Sequence, residues 1–102
     1  MHKRQSRRLP PIHPGEILKE TIDHAGLTVS ALALALRVPA NRIGAIVKGQ
    51  RGITGDTALR LARYFGTSPE MWMNLQSKYD LAVAEDALSE RIAKEVLPRS
   101  AA

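Results

Sequence analysis

Residues 28–49 read Thr28-Val-Ser-Ala-Leu-Ala-Leu-Ala-Leu-Arg-Val-Pro-Ala-Asn-Arg-Ile-Gly-Ala-Ile-Val-Lys-Gly49, two short apolar runs broken once, at Arg37-Val38-Pro39. The first run alternates alanine with leucine, a pattern that a strand would also give. Both are strong helix formers and neither is β-branched, so propensity predicts a helix from Val29 to Leu36 with Thr28 as its N-cap. The residue before a proline avoids the helical region, so this helix stops at Arg37-Val38. Pro39 opens the next helix, Ala40 to Lys48, and Gly49 ends it. Two helices crossing at such a short turn need small and apolar groups where they meet. Ala33 allows the close approach, Val38 fills the turn, and Ile43, Ile46 and Val47 anchor the second helix from below. With those anchors turned inward, Ala40, Asn41, Arg42, Ala45 and Lys48 project outward on a short-chained, basic face. No acid occurs between Arg37 and Arg51. Such a face suits a helix inserted into the major groove of duplex DNA.

Charge outside this stretch points the same way. Residues 1–51 hold nine Lys/Arg against three Asp/Glu, and residues 52–102 hold six against seven, so the whole excess of +5 lies in the first half. A basic half of this kind favours a polyanionic partner, because neutralising phosphates releases counterions. Met1 to Ile12 mixes Lys3, Arg4, Arg7 and Arg8 with two prolines and is expected to be a flexible basic arm.

The remaining chain is predicted to be helical. Pro14 suits a first helical position and Glu16 the first turn, with Ile17, Leu18, Thr21 and Ile22 as the apolar face of a helix from Pro14 to Ala25. His13 is expected to cap it. Thr54 caps a fourth helix in which Ala58, Leu61, Ala62 and Phe65 recur at helical spacing until Gly66. Ser68-Pro69-Glu70 starts a fifth, which continues through Trp72, Leu75 and Tyr79 to Ala84, Leu88, Ile92 and Val96, either unbroken or interrupted near Asp80. Glu90 and Lys94 are spaced for an ion pair on it. The late stripe of Ala84, Leu88, Ile92 and Val96 has three possible fates: packing back on the domain, forming a dimer seam, or receiving a partner. The expected class is therefore all-α, one domain over 13–80 with five helices and no strand, and a C-terminal helical extension over 81–102.

Several function classes lack support. The chain has no cysteine, so disulfides and thiolate metal sites are excluded. His13 with Glu16, and Glu20 with His24, stand at ligand spacing but without a third convergent group, so no metal is expected. There is no Gly-rich phosphate loop and no pair of carboxylates placed for acid–base work, so neither catalysis nor a cofactor is expected. No run of ~18 apolar residues occurs, and a cytoplasmic protein without a membrane partner is expected.

Leu27-Thr-Val-Ser-Ala-Leu-Ala and Val38-Pro-Ala-Asn-Arg-Ile-Gly-Ala-Ile-Val-Lys-Gly49 together resemble the Cro/C1-type (XRE) helix-turn-helix. More narrowly, His13-Pro-Gly-Glu-Ile-Leu18, Lys48-Gly-Gln-Arg-Gly-Ile-Thr54, Phe65-Gly-Thr-Ser-Pro-Glu-Met-Trp72, Asn74-Leu-Gln76 and Tyr79-Asp-Leu81 resemble the HigA/VapI antitoxins. The likeness departs at Arg37, where the family usually ends the second helix with a glycine, and that departure bears on the backbone of the turn. The resemblance implies a lambda-repressor-like fold and a homodimeric repressor of its own operon. It also implies a HigB-like toxin partner of the RelE type, an mRNA-cleaving ribonuclease. A standalone regulator of the same family, with no toxin partner, is the alternative.

Carried onto this chain, the resemblance assigns base reading to Ala40, Asn41, Arg42 and Ala45. Phosphate contact falls to Thr28, Ser30, Lys48, Arg51 and Thr54, which lie near helix ends or in the following loop. Trp72, Leu75, Tyr79, Leu88 and Ile92 are the expected dimer or partner interface, with core packing as the competing role of Trp72 and Tyr79.

Overall fold

A computed structural model describes residues 10–100. Residues 1–9, most of the expected basic arm, lie outside the described residues. Five helices follow in order: α1 (Pro14–His24), α2 (Val29–Leu36), α3 (Ala40–Val47), α4 (Gly55–Phe65) and α5 (Pro69–Glu95). There is no strand among the described residues.

Side-chain caps fix four of the five helix starts. His13 Nδ1 accepts the Gly15 N–H at 2.8 Å, Thr28 Oγ1 the Ala31 N–H at 3.0 Å, and Ser68 Oγ the Met71 N–H at 3.1 Å. Thr54 Oγ1 accepts the Thr57 N–H over a longer 3.4 Å. Each satisfies a donor that the first helical turn leaves without an intrahelical partner. α3 differs: its N-cap is Pro39, which makes no side-chain cap.

The turn between α2 and α3 resolves the departure at Arg37. Arg37 takes the left-handed conformation, φ 62° and ψ 45°, and the Val38 N–H closes back onto the Ala33 carbonyl at 3.0 Å. The backbone shape is the one glycine ordinarily provides, held here by a residue with a side chain. Left-handed backbone costs an L-residue about 1–2 kcal/mol, part of which glycine returns through its floppier unfolded chain. Arg37→Gly is therefore expected to stabilise the fold by about 1 kcal/mol, raising Tm by roughly 4–8 °C in a circular-dichroism melt. An unchanged or lowered Tm would show that the Arg37 side chain contributes more than its backbone costs.

The core draws on every helix: Leu18 and Ile22 from α1, Leu32, Ala33 and Leu36 from α2, Ile43 and Ile46 from α3, and Ala58, Leu61 and Ala62 from α4. Ile53, from the loop before α4, and Trp72, from α5, complete it. Val47 is only half-buried at its margin. Trp72 corrects the interface expectation, because it is 1% exposed and its Nε1–H donates to Thr67 Oγ1 at 3.0 Å. A side chain so enclosed cannot meet a partner without opening the core.

α5 runs unbroken through Asp80, so the helix is long rather than interrupted, about 40 Å at 1.5 Å per residue. Its first part packs on α4 and α1, and its second part leaves the domain. The described residues span 54 × 31 × 20 Å. Leu88 and Ile92 are 38% and 48% exposed, and Ala84 and Val96 are exposed as well, so among the described residues the stripe is not buried against the domain. The ion pair on this segment also differs from expectation. Arg91 Nε donates to Glu95 at 3.1 Å, in place of a Glu90–Lys94 pairing.

Candidate nucleic-acid interface

α2 and α3 form the predicted helix-turn-helix, with Ala33 at 1% exposure in the angle between them and Ile43 and Ile46 turned fully inward. This packing sets which side of α3 faces out. Ala40 and Asn41 are exposed in its first turn, Ala45 is half-buried one turn on, and Lys48 is exposed at its end. The first turn carries no side-chain cap and no acid. The Arg42 N–H closes onto the Pro39 carbonyl at 3.1 Å, and the positive end of the helix dipole lies at the exposed Ala40 and Asn41.

The residues assigned to phosphate contact, Thr28, Ser30, Lys48, Arg51 and Thr54, are all exposed. Two of them also have structural work. The Thr28 and Thr54 hydroxyl oxygens accept the cap bonds of α2 and α4, and a hydroxyl that accepts still has its own hydrogen to donate.

Arg42 does not extend freely into solvent as its position on the outer face implied. Its side chain is 24% exposed, and Nη1 donates to Asp56 Oδ1 on α4 at 3.1 Å. The same oxygen accepts from Arg60 Nε at 2.6 Å, and Arg60 Nη1 donates on to the Leu36 carbonyl at 2.9 Å. One carboxylate thus ties together α3, α4 and, through Arg60, the end of α2. The Arg60 hydrogen bond, reinforced by Arg42, holds the Asp56 carboxyl below the usual carboxylate range against partial desolvation. A depressed carboxyl pKa contributes stability above the unfolded value near ~3.9 and loses it as pH falls through the lower folded value. The cluster therefore stays ionised at neutral and mildly acidic pH.

The loop after α3 is held from α5. Gln76 Oε1 accepts the Ile53 N–H at 2.7 Å, while its Nε2 donates to Asp80 Oδ1 at 2.9 Å. Gly52 leaves room for that amide, since a Cβ there would stand 2.9 Å from Gln76 Oε1. Gln76 thereby fixes the backbone between Arg51 and Thr54. Asp56, Arg60 and Gln76 had no role in the sequence reading. Only Gln76 left a signal, as part of Asn74-Leu-Gln76.

Of the expected interface residues, Trp72 is core and Leu75 is half-buried against it. Tyr79 is half-buried with its ring edge-on to His13 at 4.8 Å between centroids. Leu88 and Ile92 remain open. His13 Nδ1 is occupied by its cap bond, and among the described residues no three His, Asp or Glu side chains converge. No helix among the described residues is long and apolar enough to cross a membrane.

Residues 18–72 match the helix-turn-helix (HTH_3) family, which covers most of α1, all of α2, α3 and α4, and the start of α5. Virulence-associated protein I of Dichelobacter nodosus is 56% identical over 78 residues, 76% of this chain and 72% of that protein. This chain belongs to the XRE-type helix-turn-helix family, in its HigA/VapI group. Two solved HigA structures share its architecture. The addiction-module antidote protein of the HigA family from Coxiella burnetii superposes with a TM-score of 0.84 at 49% identity, covering 89% of this chain and 100% of that one. The Pseudomonas aeruginosa antitoxin HigA, solved with the higBA promoter, gives 0.85 at 49% identity over 88% of this chain and 99% of that one. The likeness to these HigA structures extends well beyond the helix-turn-helix.

Proposed function

We propose that this protein is a sequence-specific DNA-binding repressor that controls its own operon and serves as the antitoxin of a type II toxin–antitoxin pair. The observation that carries the reading is the first turn of α3. It has no side-chain cap, is free of acids and is held outward by Ile43 and Ile46, in a chain whose relative of the same fold was solved on promoter DNA.

In this reading Asn41 and Arg42 read base edges, while Ala40 and Ala45 keep the helix surface low enough to enter the groove. Lys48 and Arg51 neutralise phosphates, and Thr28, Ser30 and Thr54 donate hydroxyl hydrogens to the same backbone. Groove-reading helices of this kind work as two-fold pairs spaced about 34 Å apart. The exposed Leu88 and Ile92 stripe of α5 is the surface we assign to homodimerisation. The toxin partner we assign is a HigB-like ribonuclease of the RelE type, a reading supported by the likeness to HigA antitoxins, and in this reading the protein itself performs no catalysis.

Arg42→Ala tests the base-reading assignment. A bidentate arginine–guanine contact is worth about 1–3 kcal/mol of discrimination, so operator affinity is expected to fall by roughly one to two orders of magnitude at fixed salt, with the helical circular-dichroism signal retained. Unchanged operator affinity would overturn the assignment. Co-purification with the product of a neighbouring small gene separates the antitoxin from a standalone regulator.

A further inference from the structure

Asp56 is the only acid between Arg37 and Pro69, and it stands against the recognition helix. A lone carboxylate beside a phosphate-binding surface repels every DNA sequence alike, so its presence there needs a compensating use. Its contacts supply one. Asp56 Oδ1 takes Arg42 Nη1 at 3.1 Å and Arg60 Nε at 2.6 Å, and Arg60 Nη1 is rooted on the Leu36 carbonyl at 2.9 Å. The carboxylate is thus fixed to the scaffold from one side and holds Arg42 on the other. The bond to Arg42 uses one terminal nitrogen, which leaves the rest of the guanidinium fork for a ligand. Arg42 is the more enclosed partner, at 24% side-chain exposure against 54% for Asp56.

We propose that Asp56 is a positioning residue for sequence recognition: it presets the Arg42 guanidinium for the base it reads and lowers affinity for sequences that offer no such base. The inference rests on base reading by Arg42. An unrestrained arginine has wide rotamer freedom, which it loses on engaging a base. Holding the side chain in advance removes part of that loss. The negative charge meanwhile penalises complexes in which Arg42 meets only phosphates, because the carboxylate then lies near DNA without gain. Both effects widen the gap between specific and non-specific binding.

The test measures binding of the full chain to its operator, to operators changed one base pair at a time, and to an unrelated duplex, all at one salt concentration. Asp56→Asn keeps the side-chain shape on an exposed first turn of α4. It is expected to bind the unrelated duplex several-fold tighter, to discriminate less at the base pair that Arg42→Ala affects, and to reduce the specific-to-non-specific ratio about tenfold. Combined with Arg42→Ala it should remove no further discrimination, and Asp56→Glu should restore part of it. A thermal melt confirms the fold of each variant. Arg60→Gln, which frees the carboxylate without touching it, is a second variant expected to lose part of the ratio. Full discrimination in Asp56→Asn, alongside its loss in Arg42→Ala, would overturn the positioning role and leave base reading intact. Full discrimination in Arg42→Ala would overturn both.

Discussion

Gly15→Ala is expected to lower Tm by about 10–20 °C, a loss near 3 kcal/mol in a domain of this size. A Cβ built on Gly15 would fall 1.9 Å from the Ile46 carbonyl oxygen and 2.9 Å from its carbon, closer than any real contact. Both atoms are backbone, so no rotamer change relieves the clash, and α1 must lift from α3. That movement pulls Leu18 and Ile22 away from the core they share with Ile43 and Ile46. Overpacking ordinarily costs about 1–3 kcal/mol, and a collision between two helix backbones belongs at the upper end. On the proposed function the effect reaches DNA binding as well, since the end of α3 rests on this contact. A melt of Gly15→Ala within a few degrees of the parent protein would contradict the close approach of α1 and α3.

Trp72→Ala is expected to cost about 3–5 kcal/mol through the cavity it leaves, enough to unfold many domains of this size. The indole is enclosed, and its N–H bond to Thr67 ties the start of α5 to the loop after α4. The signature is loss of helical signal at every protein concentration, because a core residue acts within one protomer. An interface residue would instead make association weaker and leave the folded protomer in place. A folded Trp72→Ala protein whose only change is its oligomeric state would return Trp72 to an interface role.

The contrast between Trp72 and its neighbours explains how much the sequence revealed. The helix-turn-helix was legible because its evidence is local: Thr28 and Pro39 mark starts, and Ala33, Ile43 and Ile46 follow the helical period. Helix ends were close for the same reason, and the left-handed turn at Arg37 was the one place where a local signal was missing. Trp72 and Leu88 lie on one helix with similar spacing to their apolar neighbours. Periodicity gives a side chain's face and is silent on whether another element covers it. Trp72 lies in the buried core at the end of α5 that packs on the domain, whereas Leu88 is 38% exposed.

Pairing across the chain was illegible for a related reason. Arg42 meets Asp56 fourteen residues on, and Gln76 meets the Ile53 backbone across twenty-three. Such contacts depend on how α4 and α5 pack and leave no pattern in the residues between them. Gly15 stands in the sequence only as part of His13-Pro-Gly-Glu-Ile-Leu18, and its use is apparent only with the Ile46 carbonyl against it.

A titration of the purified protein on the DNA upstream of its own gene, with and without excess unrelated duplex, tests the central claim most directly. The account predicts a discrete complex that survives the competitor and weakens with Arg42→Ala. Binding that the competitor abolishes, at any salt concentration, would contradict a sequence-specific repressor and leave only a basic helical domain.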